Sequence, residues 1–146
     1  MKIKIAVVAL IGLASAAGLY QTQLSAQGTK SVWDGVYSKE QADNGKALYA
    51  KECGSCHGDQ LTGGEMAPAL AGGDFLSNWN GLSVGALFDR IRTSMPLNKP
   101  GSLSRDVNAD ITAFILSANG FPAGSAKMDS RSEVLATINI DAAKKK

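Results

Sequence analysis

Between residues 84 and 91 the apolar side chains fall at Val84, Leu87, Phe88 and Ile91, the i, i+3, i+4, i+7 spacing that gathers them on one helix face. Ser83 marks the start of this helix, and Pro96 forbids its continuation, because proline lacks an N–H and its ring collides with the preceding turn. A second stripe, Val107, Ile111, Phe114 and Ile115, predicts a helix that begins after Ser104 and stops at Asn119-Gly120, with Asp106 suited to its positive end. Upstream, Ser38 followed three residues later by Gln41 is a capping-box signal for a helix running to about Glu52. That helix carries Gly45, Tyr49 and Cys53 at four-residue steps. The glycine lets another helix cross closely, and Tyr49 supplies apolar area to the crossing. No segment alternates with the period of a strand, so the chain is expected to be all-α with three main helices.

The two ends differ from this middle. Lys2 and Lys4 precede an apolar run over residues 5–13, followed by small residues and the polar Gln21-Thr22-Gln23, which is the layout of a secretory signal peptide. Cleavage is expected after Ala26, with Ala14-Ser15-Ala16 as the alternative site. The rival reading is an uncleaved anchor, since residues 3–19 are just long enough to span a bilayer as a helix. The resulting organisation is a signal peptide at 1–26, an N-terminal arm at 27–37, a domain at 38–120 and a C-terminal extension at 121–146. In the extension, residues 132–136 suit one helical turn and 137–140 a short extended stretch, packed across the domain surface.

At 146 residues, 45% hydrophobic and 19% charged, the chain has the make-up of one folded domain. The formal charge of +2 changes meaning with export: losing Lys2 and Lys4 leaves 13 basic and 13 acidic residues. A neutral mature chain excludes the basic balance that nucleic-acid backbones require. The terminal Lys144-Lys145-Lys146 is read as a solvated tail.

The chemistry is concentrated in Cys53-Gly54-Ser55-Cys56-His57. Positions three and four apart share one face of a helical turn, so both thiols and the imidazole can meet one flat ligand. C-x-x-C-H is the pattern of covalent c-type haem attachment, with a thioether from each of Cys53 and Cys56 and with His57 as the proximal iron ligand. A structural zinc site needs four Cys or His ligands, and this chain has two Cys and one His. A thiol–disulfide oxidoreductase would place C-x-x-C beside a βαβ pattern, which is missing here, and an inert disulfide would leave His57 without a purpose. For the distal ligand, thioether opposite histidine is a common pair in electron carriers. Met95, followed by Pro96 on the turn after a helix, is the choice. Met66 is only nine residues past His57 in a glycine-rich loop, and Met128 in the extension reads as packing.

With these residues in hand, the chain resembles the class I c-type cytochromes over about residues 40–119. Gly45-x-x-x-Tyr49-x-x-x-Cys53 is similar to the family's first helix and Ile111-x-x-Phe114 to the last-helix positions that cross it. Pro68-Ala69-Leu70 resembles the P-x-L segment, and Met95-Pro96 the distal methionine motif. The resemblance implies a class I cytochrome c fold wrapped around one covalently bound haem c. It also implies that the Pro68 carbonyl accepts from the second ring nitrogen of His57, a bond that fixes the imidazole and tunes its basicity. The arm Val32-Trp33-Asp34-Gly35-Val36-Tyr37 and the stretch over residues 71–122, including Asn78-Trp79-Asn80-Gly81, resemble small bacterial cytochromes associated with quinoprotein alcohol dehydrogenases. That likeness implies a periplasmic PQQ enzyme as donor and a terminal oxidase as acceptor.

The function expected is therefore one-electron transfer by an exported, periplasmic monomer rather than catalysis. An apolar wall of Leu70, Phe88, Ile91 and Leu97 should favour the ferrous state and a positive midpoint potential. Arg90, Arg92 or the Trp79 indole would serve the haem propionates, unless the arginines face solvent and Trp79 is core. A domain of this size is marginal without the apolar surface a haem adds. Two alternatives are a cytochrome subunit or membrane-anchored arm of a dehydrogenase complex, and a haem peroxidase, which the lack of a second histidine disfavours.

Overall fold

The computed structural model describes residues 30–65 and 67–144. The signal peptide, residues 27–29 of the arm, Met66 and the last two lysines lie outside the described residues. Among the described residues the first element is strand β1 (Lys30–Ser31), which runs into a 3-10 turn at Val32–Asp34. The helices are α1 (Lys39–Glu52), α2 (Gly54–His57), α3 (Gly72–Trp79), α4 (Val84–Ser94), α5 (Arg105–Ala118) and α6 (Ser132–Leu135), before β2 (Ile138–Asn139). The architecture is all-α apart from this two-residue parallel pairing of β1 with β2.

The three long helices start where their serines place them. Ser38, Ser83 and Ser104 each hold extended backbone and accept a hydrogen bond from an orphan N–H of the first turn, at Gln41, Ala86 and Val107, as N-caps do. The capping box at Ser38 is only half made. Gln41 is buried, and its side chain is committed to the extension instead, donating to the Met128 carbonyl at 3.3 Å and accepting from the Met128 N–H at 2.7 Å. A buried amide gains more from two backbone partners than from a solvated cap.

α1 crosses α5 at Gly45, where a Cβ would stand 1.8 Å from the Asp110 carbonyl oxygen. Tyr49 packs on Phe114 at the same crossing with ring centroids 5.2 Å apart. α4 lies against α5 with its apolar stripe, and its Val84, Leu87, Phe88 and Ile91 are all buried. The extension is built into this core: Phe121, Met128, Leu135, Ile138 and Ile140 are buried beside the helices. Its backbone also holds the 80–82 loop, through Gly81 N–H to Ile140 O and Ile140 N–H to Leu82 O, both 2.8 Å. The arm joins the extension through Trp33, whose indole donates to the Asp141 carbonyl at 2.8 Å and stacks edge-on against Phe121. Among the described residues no helix is long and apolar enough to cross a membrane.

Candidate haem-attachment site

Cys53 is the hinge of the site: it ends α1 and begins α2. The N–H of His57 and that of Cys56 both return to the Cys53 carbonyl, at 3.0 and 3.1 Å. The motif is thereby wound into one helical turn, as the i, i+3, i+4 spacing requires. Cys56 is exposed, Cys53 is half-buried, and the two sulfurs are free of any disulfide. Burial, with smaller contributions from Glu52 and Cys56, pushes the Cys53 thiol up to about 11. A thiol so reluctant to ionise is poorly suited to disulfide exchange, which proceeds through the thiolate.

His57 is buried at 7% exposure, and its Nδ1 lies 2.9 Å from the Pro68 carbonyl oxygen. The oxygen can only accept, so Nδ1 carries the proton and donates it. The remaining ring nitrogen, Nε2, is then the one with a lone pair for a metal.

The loop that brings Pro68 to His57 is held at close quarters. Gly63 donates to the His57 carbonyl at 2.9 Å and Leu70 to the Leu61 carbonyl at 2.8 Å. Gly63 has φ +71, and a Cβ on it would stand 2.5 Å from Ala69 N and 2.7 Å from the Pro68 carbonyl carbon, so only glycine lets the loop fold back this tightly. Leu61, buried, sits at φ +58, a costly conformation for a branched residue. Below the loop, the Tyr49 hydroxyl donates to the Gly58 carbonyl at 2.7 Å.

Met95 ends α4 as its C-cap, with its N–H on the Ile91 carbonyl at 2.9 Å, and it packs half-buried against the core. Lys99, four residues on, ties this loop to the end of α1 through Glu52 at 3.2 Å. The hydrogen bond from Lys99 holds the Glu52 carboxyl below its ordinary range against the opposing effect of desolvation.

Of the expected apolar wall, Phe88 and Ile91 are buried and Leu70 is half-buried, but Leu97 is 75% exposed. The reason is local: Leu97 rides the outside of a turn closed by Lys99 N–H to Pro96 O. Arg90 faces solvent, the solvent-facing alternative, whereas Arg92 is half-buried and held by Asp89 at 3.2 Å. Trp79 is half-buried against Phe75. The sequence reading missed Asn119 as anything but a helix stop. Its amide accepts from Gly72 N–H at 3.0 Å and donates to the carbonyls of Leu70 at 3.0 Å and Ile115 at 2.8 Å.

The donor set fits a haem c. Two thiols and a histidine sit on one turn, the histidine's tautomer is fixed by a carbonyl behind it, and a thioether side chain stands at the end of a neighbouring helix. Among the described residues no group of three or more His, Cys, Asp or Glu is placed to hold a metal ion by itself.

Residues 40–115, just over half of the chain, match the family described as cytochrome c oxidase, cbb3-type, subunit III. Thiosulfate dehydrogenase of Stutzerimonas stutzeri (strain A1501) is 42% identical over 69 residues, covering 41% of this chain and 22% of that protein. Among solved structures, the sulfane dehydrogenase SoxCD from Paracoccus pantotrophus contains a chain 27% identical to this one. The match covers 74% of this chain and 61% of that one, with a TM-score of 0.53. The chain thus spans under a quarter of the first relative and less than two thirds of the second.

Proposed function

Because the chain belongs to the cbb3-type cytochrome c oxidase subunit III family of cytochrome c domains, we propose that it is an exported one-electron carrier that works in the periplasm as a monomer. The cofactor of this family is a covalently bound haem c, which when present supplies one-electron exchange between ferric and ferrous iron. Cys53 and Cys56 would hold it by thioether bonds, His57 would ligate the iron from the proximal side and Met95 from the distal side. The observation that carries the reading is the His57–Pro68 bond of 2.9 Å on a turn flanked by both cysteines. Pro68 orients the imidazole, and Gly63 and Leu61 hold the loop that presents the carbonyl. The buried Phe88 and Ile91 keep the neighbourhood apolar, which favours the less charged ferrous site.

The donor would be a dehydrogenase and the acceptor a terminal oxidase. A quinoprotein donor is supported by the phrases Val32-Trp33-Asp34-Gly35 and Trp79-Asn80-Gly81. A second reading is favoured by the two relatives, both named as dehydrogenases of sulfur compounds: the chain would be the cytochrome module of such an enzyme. Anchoring through residues 3–19 is the corresponding alternative to free diffusion, and N-terminal sequencing of the exported protein decides between them.

The test is a redox-titrated absorption spectrum of the protein made alongside a haem-attachment system, with Met95→Ala beside it. We expect a low-spin ferric spectrum with the weak long-wavelength band of a thioether–iron bond and a positive midpoint potential. Met95→Ala should lose that band and turn high-spin. An unchanged low-spin spectrum in the variant rules out Met95 as ligand, and a colourless denatured protein of bare polypeptide mass rules out the haem. The two donor readings are separated by which enzyme reduces the ferric protein: reduction by a sulfur-compound dehydrogenase turning over its substrate favours the module, whereas reduction only by a quinoprotein dehydrogenase turning over an alcohol favours the carrier.

A further inference from the structure

Two residues beyond Pro68, the chain must turn from the loop that serves His57 into α3, and it does so without help from its own sequence. Ala71 stands at the N-cap of α3 and has no side chain able to cap it. Helix starts leave N–H groups without intrahelical partners, and here the first of them, that of Gly72, is taken by Asn119 Oδ1 at 3.0 Å. The other end of the same amide donates to the carbonyl of Leu70 at 3.0 Å, and again to Ile115 at 2.8 Å in the last turn of α5. One side chain at the C-cap of α5 therefore grips the backbone on both sides of Ala71 while bonded to the helix it ends. All three of these hydrogen bonds are made to backbone, the two donated ones in part-buried surroundings. Leu70 is in turn bonded through its N–H to Leu61 at 2.8 Å, so the carbonyl of Pro68 is suspended between a fixed point at residue 61 and a fixed point at 70–72.

We infer that Asn119 is a positioning residue for the haem site, setting through Leu70 and Gly72 how firmly the Pro68 carbonyl holds the His57 Nδ1 proton. The inference rests on the functional reading above. Its physical content is a chain of direct bonds: α5 to Asn119, Asn119 to Leu70 and Gly72, the loop to Pro68, and Pro68 to His57 at 2.9 Å. A bond to Nδ1 gives the ring more electron density, which stabilises ferric over ferrous iron and lowers the potential. Loosening the loop should weaken the bond and move the potential upward.

The variants are Asn119→Ala, which deletes all three bonds, and Asn119→Asp, which keeps an acceptor for Gly72 N–H but turns both donors into an acceptor facing two carbonyls. Gln41→Leu serves as a control, because it unfastens the extension from α1 without touching this loop. All are made as the full chain with haem attached. The measurements are the midpoint potential, solvent exchange of the His57 Nδ1 proton by NMR in the ferrous protein, and chemical denaturation. Asn119→Ala should raise the potential, and both Asn119 variants should speed Nδ1 proton exchange by about tenfold, the equivalent of losing one net hydrogen bond; in Asn119→Asp the new negative charge opposes the rise in potential, so exchange is its readout, while Gln41→Leu lowers the denaturation midpoint with neither change. If the Asn119 variants lose stability but keep wild-type potential and exchange, Asn119 is only a helix cap and the inference is overturned. A wild-type protein that carries no covalent haem sinks the functional reading and this inference together. A haem-loaded wild type with indifferent variants sinks this inference alone.

Discussion

The Tyr49 hydroxyl shows how a single side chain outside the motif supports it. Its ring belongs to the crossing with Phe114, but its oxygen reaches Gly58, the residue after His57, at 2.7 Å. Tyr49→Phe keeps the ring packing and leaves the Gly58 carbonyl without this donor. An unmade bond of that kind costs about 1–2 kcal/mol, so the chemical denaturation midpoint should fall correspondingly while haem attachment persists. The same group sets an alkaline limit. Burial, followed by the nearby Cys53 and Asp59, pushes the phenol from 10.0 up to about 12; with Cys53 held in an uncharged thioether, burial remains the main cause. An acid whose folded value lies above its unfolded one favours the native state fully below pH 10 and loses that advantage as pH climbs toward 12. Wild-type stability should decline over that window, and Tyr49→Phe should flatten the decline; an identical profile in the variant would show that another group is responsible.

At the scale of elements, the crossing of α1 and α5 depends on an absent side chain. A Cβ at Gly45 would sit 1.8 Å from the Asp110 carbonyl oxygen and 2.5 Å from its carbon, and backbone cannot swing aside as a side chain can. Gly45→Ala should therefore separate the helices, at the upper end of the roughly 1–3 kcal/mol that overpacking costs, although alanine is the better helix former. A thermal melt decides it, since an unchanged or raised midpoint would mean the crossing has slack. Ser38, Ser83 and Ser104 could be read from the chain because a cap acts within a few residues of the side chain that causes it, and Gly45 because it falls in four-residue step with Tyr49 and Cys53. α3 could not: it opens on Gly72-Gly73 with no capping residue, and its cap comes from Asn119, 47 positions away. The same distance explains Gln41, whose local partner at Ser38 was foreseeable and whose actual partner, Met128, lies 87 residues on. At the site, the Pro68–His57 bond followed from a motif. The exposure of Leu97 did not, because apolar character does not reveal which side of a turn a residue rides.

For the molecule as a whole, the segment with the least evident chemistry supplies much of the core. One two-residue strand and a single helical turn give almost no periodicity to detect, yet Phe121, Met128, Leu135, Ile138 and Ile140 are between 0 and 6% exposed. At about 1.5–3 kcal/mol for each buried side chain of this size, their burial is worth on the order of 10 kcal/mol, an upper bound because unfolded chains already bury some surface. That equals the whole stability of a typical domain, about 5–15 kcal/mol. Ending the chain after Gly120 also strands the buried Gln41 amide, which loses both of its bonds to Met128, and frees the 80–82 loop from Ile140. The truncated protein should show no cooperative thermal transition by circular dichroism without haem, and should be cleaved rapidly by protease. A truncated chain that melts cooperatively within a few degrees of the full one would mean that the helices hold together by themselves and that the extension merely covers them.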